Sequence, residues 1–90
     1  MITLRQAFNL WLAERDSTAE ELFEAEQAIE QAMLQGSFMK PEDAITAIEM
    51  GSDAKTGDLT IWVCIDNGDR FMIDHTGTLY SDDGVVLKKL

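Results

Sequence analysis

The 90-residue sequence predicts an α+β fold, in which three N-terminal helices pack on a C-terminal antiparallel meander of three to four strands. Apolar residues recur at helical spacing in the first half of the chain, whereas the second half contains runs rich in β-branched and aromatic residues. The pair Asn67-Gly68 separates two of these runs, and Asn-Gly is the strongest short-range signal for a β-hairpin. The chain length predicts one domain over residues 1–90.

The first helix is predicted over about residues 4–15. Thr3 and Gln6 match a capping box, in which each side chain accepts a hydrogen bond from a free backbone N–H at the helix start. An apolar stripe follows at helical spacing, formed by Leu4, Ala7, Phe8, Trp11 and Leu12. This stripe marks the helix face that we expect to enter the core.

The second helix is predicted over about residues 19–35 and the third over about residues 41–50. Gly36 is typical of the position just after a helix end, and Pro41 suits the first turn of a helix. The start of the second helix offers two capping boxes, Ser17 with Glu20 and Thr18 with Glu21. The predicted core combines strand residues with Phe8, Trp11, Leu22, Ile29 and Ile48.

Strands are predicted over about residues 59–66, 69–75 and 78–81, with a fourth candidate strand over 85–88. A two-residue Asn67-Gly68 loop places Cys64 opposite Phe71 and Trp62 opposite Ile73. One face of the hairpin then carries Trp62, Cys64, Phe71 and Ile73, and the other carries Ile61, Val63, Ile65 and Met72. Because both faces are apolar, either helices cover both of them or one face meets a partner.

The formal net charge is −10, from 17 acidic and 7 basic residues. This charge disfavours direct binding to nucleic acids, which requires cations that displace the phosphate counterions, and it disfavours binding to anionic membranes. It favours a protein partner with a basic surface. The alternative interpretation is that the charge serves only to keep the protein soluble.

The expected location is the cytoplasm. Cys64 is the only cysteine, so an internal disulfide is excluded and an oxidising compartment is not required. The first residues lack the apolar segment of a secretory signal, and no apolar run is long enough to cross a membrane.

The sequence offers few residues for catalysis or for metal and cofactor binding. His75 is the only histidine and lies beside a predicted turn, where solvent exposure is the usual outcome. Cys64 lies in the middle of a predicted strand, where we expect a buried core thiol. Segment 66–69 superficially resembles a calcium loop, but it lacks the spaced ligands and the closing glutamate of an EF-hand. We therefore expect no catalytic residue, no metal and no cofactor, with an enzyme as the minority alternative.

The second helix is expected to present an acidic face. No lysine or arginine occurs from Asp16 to Met39, although like charges four residues apart destabilise a helix by about 0.2–0.5 kcal/mol per pair. An acidic face with exposed apolar residues is suited to binding a protein, while the same glutamates also fit a solvated face. The predicted partner-binding residues on the helix and the turns are Glu20, Glu24, Glu26, Glu30, Phe23, Leu34, Asp66, Asp69, Asp82 and Asp83.

Three functions are open from the sequence. The first is a non-enzymatic protein-binding module, an inhibitor or regulator whose carboxylates mimic nucleic acid toward a basic, nucleic-acid-handling protein. The second is a structural or assembly protein that oligomerises, for instance as a homodimer, through an apolar sheet face. The third is a small enzyme or ligand-binding domain with a pocket between the helices and the sheet, to which His75, Tyr80 or Cys64 would contribute.

Overall fold

The computed structural model describes residues 2–53 and 55–88. It confirms an α+β fold, in which two helices precede an antiparallel sheet of five strands. The helices are α1 (Leu4–Leu12) and α2 (Ala19–Gln35), and the strands are β1 (Ile45–Ser52), β2 (Leu59–Ile65), β3 (Arg70–Ile73), β4 (Leu79–Ser81) and β5 (Val86–Lys88). The strands follow one another across the sheet in chain order, as a meander. The predicted numbers, three helices and three to four strands, are wrong.

Both helices begin at the capping residues that the sequence indicates. At α1, the Gln6 backbone N–H donates to Thr3 Oγ1 (3.1 Å) while the Thr3 N–H donates to Gln6 Oε1 (2.8 Å). At α2, the box that forms is Thr18 with Glu21. The bounds of α2 coincide with the expected range. Gly36 is the C-cap with φ −83° rather than the residue after it, and the positive φ at this helix end lies at Ser37 (φ +61°).

Helix α1 ends at Leu12, three residues before the predicted end near Arg15. The Ser17 hydroxyl lies within hydrogen-bond distance of the carbonyl oxygens of Leu10 (2.9 Å) and Ala13 (3.0 Å). These contacts provide a partner for carbonyl groups that an α-helix end leaves free, so the chain can turn early toward α2.

The predicted third helix over 41–50 is wrong, because most of this segment forms strand β1. A bulge at Thr46 places Ile45 opposite Ile65 and Ile48 opposite Val63, so two isoleucines three residues apart lie on the same face of the sheet. That spacing is also the spacing of a helix face, which explains the error. Pairing with all seven residues of β2 and the presence of β-branched side chains favour the strand.

The predicted register of the central hairpin is wrong by one residue. The Gly68 N–H donates to the Ile65 carbonyl (3.0 Å) and the Ile65 N–H donates to the Asp69 carbonyl (2.9 Å), so the loop has three residues rather than two. Gly68 has φ +97°, whereas Asn67 is not in the positive-φ region that a type I′ turn requires. A shift of one residue exchanges the faces of a strand.

The corrected register separates a core face from an outer face of the sheet. The core face packs with the helices and includes Ile61, Val63, Ile65, Phe71, Ile73 and Leu79. The helices contribute residues of their inner faces to the same cluster, including Leu4, Ala7, Phe8, Ala25, Ala28, Ile29, Ala32 and Met33. Of the predicted core, Phe8 and Ile29 are buried and Trp11 and Ile48 pack partly buried against the cluster, whereas Leu22 is half-buried.

The outer face carries a row of side chains in register across all five strands. The row is Glu49, Trp62, Met72, Tyr80 and Val86. None of the five belongs to the core cluster. At one side of the sheet, β1 is an edge strand, and within the described ranges no strand pairs with its outer edge. The two described helices are too short or too polar to cross a membrane.

Candidate functional site

The glutamates of α2 that were predicted to form an acidic face differ in exposure. Glu20 and Glu24 are exposed, whereas Glu26 and Glu30 are half-buried. The gradation arises because the opposite stripe of the helix, which includes Ala25 and Ile29, lies in the core. The first turn holds Glu20 and Glu21, where the helix dipole favours negative charge, and the last turn has no basic residue. The α2 acids are thus presented on one side of a single rigid element.

The two apolar residues predicted on this face have different surroundings. Phe23 is 62% exposed, so a large aromatic ring lies among the glutamates. Leu34 is partly buried and packs against the core cluster, so its expected outward position is wrong. Phe23 is therefore the large apolar residue of the predicted face that α2 exposes.

The predicted acids of the turns lie elsewhere on the sheet. Asp66 Oδ1 accepts a hydrogen bond from the Ala44 N–H (3.1 Å), which ties the β2–β3 turn to the segment before β1. The Asp69 N–H donates to Asn67 Oδ1 (2.8 Å) in the same turn. Asp82 and Asp83 are exposed in the β4–β5 turn and line a groove of the outer face. Asp82 and Asp83 therefore lie at the outer face of the sheet, whereas the predicted glutamates lie on α2.

The groove has an aromatic floor. Trp62, Met72 and Tyr80 are direct neighbours on three adjacent strands, and all three line the groove. Its volume is about 230 Å³. Small-molecule sites typically occupy about 300–1,000 Å³, so the groove is smaller than a typical small-molecule site.

The groove runs diagonally across the sheet, from the β1–β2 turn to the β4–β5 turn. Ser52, Asp53 and Lys55 line the first end, and Asp82, Asp83 and Gly84 line the other. Three carboxylates and one ammonium group therefore surround the aromatic floor. Asp53 Oδ1 already accepts a hydrogen bond from the Lys55 backbone N–H (2.7 Å), which fixes the carboxylate within its turn.

Asp74 holds the Tyr80 ring in place. Its Oδ1 accepts hydrogen bonds from the Thr76 N–H (2.9 Å), the Thr76 hydroxyl (2.6 Å) and the Thr78 N–H (3.1 Å), and its Oδ2 accepts from the Tyr80 hydroxyl (2.7 Å). Burial alone would raise the pKa of Asp74, but the hydrogen bonds from the two threonines and Tyr80 outweigh it and hold the pKa below its ordinary 3.8.

The pKa of Tyr80 is raised above its ordinary 10.0, first by the hydrogen bond to Asp74 and then by burial and by the negative charges of Asp74 and Asp53. Ionised Tyr80 would face these two carboxylates, which disfavour a third negative charge. The hydroxyl therefore stays a hydrogen-bond donor at neutral pH. The effect on Tyr80 also shows that the negative charge of Asp53 is felt within the groove.

Trp62 is fixed from two sides. A Cβ atom placed on Gly51 would lie 2.4 Å from Trp62 Cδ1 and 2.5 Å from Nε1, so the indole lies directly against this glycine. The Arg70 guanidinium carbon lies 4.6 Å from the centroid of the Trp62 ring, in cation–π geometry. The ring thus already stacks with a guanidinium group of its own chain.

The two residues considered for chemistry lie apart from these surfaces. His75 is exposed in the β3–β4 turn. Cys64 is half-buried and lies on the outer face opposite Arg70, so the expectation of a buried core thiol is wrong. Within residues 2–53 and 55–88, no group of three His, Cys, Asp or Glu side chains is arranged to hold a metal ion.

The aromatic groove was missed as a site by the reasoning from sequence. The wrong hairpin register placed Trp62 with Phe71 and Ile73, and so separated it from Met72 and Tyr80. A loop of three residues ending in Gly68 is an alternative interpretation of the same turn sequence, and it would have placed Trp62 beside Met72. Nothing local in the sequence indicates that Asp53 and the acids of the β4–β5 turn lie over one groove.

The fold and surfaces define a class of protein: a small acidic α+β protein in which, over residues 2–53 and 55–88, two helices lie on one face of a five-stranded meander. Comparison with family models, with curated proteins and with solved structures found no match to this chain.

Proposed function

We propose that this protein is a non-enzymatic binding module that engages a basic, nucleic-acid-handling protein through the acidic face of α2. The observation that carries the proposal is the exposed ring of Phe23 among the glutamates of a helix that has no basic residue. Around the ring, Glu20 and Glu24 are exposed to a partner.

The charge pattern of α2 is unfavourable for the helix alone. Glu20 with Glu24, and Glu26 with Glu30, are like-charged pairs four residues apart, and each pair costs about 0.2–0.5 kcal/mol. A lysine in place of one member would remove the repulsion. A basic partner would convert the same repulsion into attraction and would speed association by electrostatic steering.

Nucleic-acid mimicry specifies the kind of partner. Carboxylates presented at intervals on a rigid helix can occupy the cationic site where a basic protein binds phosphates. The proposal therefore predicts that duplex DNA or RNA competes with this protein for its partner, and that binding weakens steeply with salt because surface charges are screened.

Affinity capture with matched charge variants tests the proposal. The test variant is E20K/E24K/E30K, and the control is E14K/D16K/E42K, which changes the net charge equally at exposed acids outside the proposed surface. Capture from lysate is compared at about 0.1 M and about 1 M ionic strength, where the Debye length falls from about 10 Å to about 3 Å. We expect the wild type and the control to retain a nucleic-acid-handling protein at low salt only, and added duplex to release it.

The outcomes separate specific recognition from bulk charge. Equal loss of capture in both variants would mean that net charge alone acts, and the α2 surface would then be wrong. Capture that resists high salt or added duplex would contradict mimicry.

A second candidate function is assembly through the outer face of the sheet. Val86 is 51% exposed and continues the row of Trp62, Met72 and Tyr80 to the last strand. Sedimentation of the wild type against V86K distinguishes this function, because a dimer formed through this face should dissociate when a charge replaces Val86. The charge reversals on α2 should leave such a dimer intact.

A further inference from the structure

We infer that the groove of the outer face binds an arginine side chain, which the basic partner inserts between the aromatic floor and the acidic rim. The inference rests on the proposed function in one respect, that the partner is basic. It adds a second contact surface, since the groove lies on the sheet and the proposed α2 surface lies on a helix.

The shape of the groove favours a side chain with a flat, extended form. The floor is a narrow row of three side chains, Trp62, Met72 and Tyr80, one from each of three adjacent strands. The methylene stem of an arginine covers apolar surface while its charged end stays near water. The volume of about 230 Å³ accommodates one such side chain.

Charge complementarity selects a cation. Asp82 and Asp83 are neighbours in an exposed turn at one end of the floor, and Asp53 lies at the other end. Lys55 is the single basic residue among the residues that line the groove, so the rim remains negative overall. The faces of aromatic rings also attract cations.

The planar guanidinium group fits better than an ammonium group. A guanidinium stacks on aromatic rings and can bind two carboxylate oxygens with parallel N–H groups, which an ammonium cannot do. The structure contains one example of such stacking at this face, because the Arg70 guanidinium lies over Trp62. Arg70 is not part of the groove lining, so the groove itself is open to a second guanidinium.

The floor is organised before any partner arrives. The Tyr80 hydroxyl is held by Asp74 at 2.7 Å, and the Trp62 indole lies against Gly51. A rigid site loses less conformational entropy on binding than a mobile one. The rings therefore need no large rearrangement to receive a side chain.

The test is an NMR titration of the full ¹⁵N-labelled chain with three peptides of the form acetyl-Gly-Ser-X-Ser-Gly-amide. X is arginine, citrulline or lysine, and citrulline has the shape of arginine without its charge. The chain has two tryptophans, so the indole N–H signal of Trp11, which lies on the helix side, is an internal control for Trp62. A single side chain should bind with a dissociation constant of about 1–10 mM.

We expect the arginine peptide to shift the Trp62 indole signal in a saturable manner and to leave that of Trp11 unchanged. Citrulline should bind at least about tenfold more weakly, and D82N/D83N should weaken arginine binding about three- to tenfold, because two charges of the rim are lost. The exposed turn position of both aspartates makes this variant compatible with folding. R70Q should bind the arginine peptide with about the wild-type affinity, since Arg70 does not line the groove.

Three results would overturn the inference: equal binding of citrulline, equal binding of lysine, or no shift of Trp62 at about 20 mM arginine peptide. The α2 variant E20K/E24K/E30K separates this inference from the proposed function. If it loses the captured partner but still binds the arginine peptide, the two surfaces act independently. If the wild-type chain captures a partner but does not bind the peptide, the groove inference fails alone.

Discussion

Replacing Asp74 with alanine should destabilise the protein more than the loss of any other single carboxylate described above. Asp74 accepts four hydrogen bonds, at 2.6 to 3.1 Å, from three residues of the β3–β4 turn and strand β4. The substitution frees two backbone N–H groups, two hydroxyl groups and the link from the turn to Tyr80. Apart from Asp74, the Thr76 hydroxyl also lies within hydrogen-bond distance of the Thr78 hydroxyl (2.8 Å).

The expected loss of unfolding free energy is about 2–3 kcal/mol. A hydrogen bond to a charged group contributes about 1.5–3 kcal/mol when it is well shielded, but the Asp74 side chain is only half-buried and water replaces part of what is lost. We therefore count the four bonds together as roughly one shielded bond at the upper end of this range, about 2–3 kcal/mol. For a chain of this size the loss corresponds to a decrease in melting temperature of about 8–24 °C.

The matched control is Asp83→Ala, measured by urea and thermal unfolding at pH 7. Asp83 is exposed in the β4–β5 turn, so its removal changes the net charge equally without loss of the Asp74 network. We expect its unfolding free energy to stay within about 0.5 kcal/mol of the wild type. A decrease for D74A that is no larger than that for D83A would refute the energetic role of the network.

The pH dependence provides a further check on the same residue. The pKa of Asp74 in the folded state lies below its ordinary 3.8, so the contribution of the carboxylate is complete above about pH 5. As the pH falls below 3.8, the unfolded chain binds a proton before the folded chain does, and the contribution declines until the folded carboxyl is also protonated. The difference in stability between wild type and D74A should thus be constant from pH 7 to pH 5 and narrow below pH 4.

Three further substitutions test other structural claims. Gly51→Val should displace the Trp62 indole, lower the free energy of unfolding by about 1–3 kcal/mol and change the near-ultraviolet circular dichroism. An unchanged tryptophan signal would contradict the close contact between Gly51 and Trp62. Gly68→Ala should cost about 1–2 kcal/mol in urea unfolding because φ is +97°, whereas Gly68→Asn should cost less; equal costs would argue against the turn geometry. Thr18→Ala should remove the cap shared with Glu21 and cost about 1 kcal/mol, while Thr18→Ser should restore most of it, and a neutral alanine variant would exclude the cap as a source of stability.

The helices were predictable from the sequence because their signals are local. Thr3 with Gln6 and Gly36 mark helix ends through contacts within one turn, and the structure contains those contacts. The third helix failed because Ile45 and Ile48 have the spacing of a helix, and only the pairing with β2 reveals a bulged strand. Long-range pairing of this kind leaves no mark in a short window of sequence.

The candidate sites show the same division. The glutamates of α2 and the exposed ring of Phe23 follow from periodicity on a single helix. The position of Leu34 depended on how α2 packs on the sheet, and periodicity alone placed it outward. Predicting the groove required the correct hairpin register. One additional residue in the loop changes which residues of β3 share a face with Trp62.

The negative charge of the chain also affects what happens at the outer edge of β1, with which no strand pairs within the described residues. This edge strand has eight residues, and Glu49 is its single charged side chain, so its free backbone groups offer little resistance to pairing with another chain. At neutral pH two copies with a net charge of −10 repel each other, which limits edge-to-edge contact. Near the isoelectric point of about 4.2 that repulsion disappears, and β-rich aggregation should begin at this strand. The acidity of the chain thus also limits aggregation through an edge at which, within residues 2–53 and 55–88, β1 pairs with no further strand.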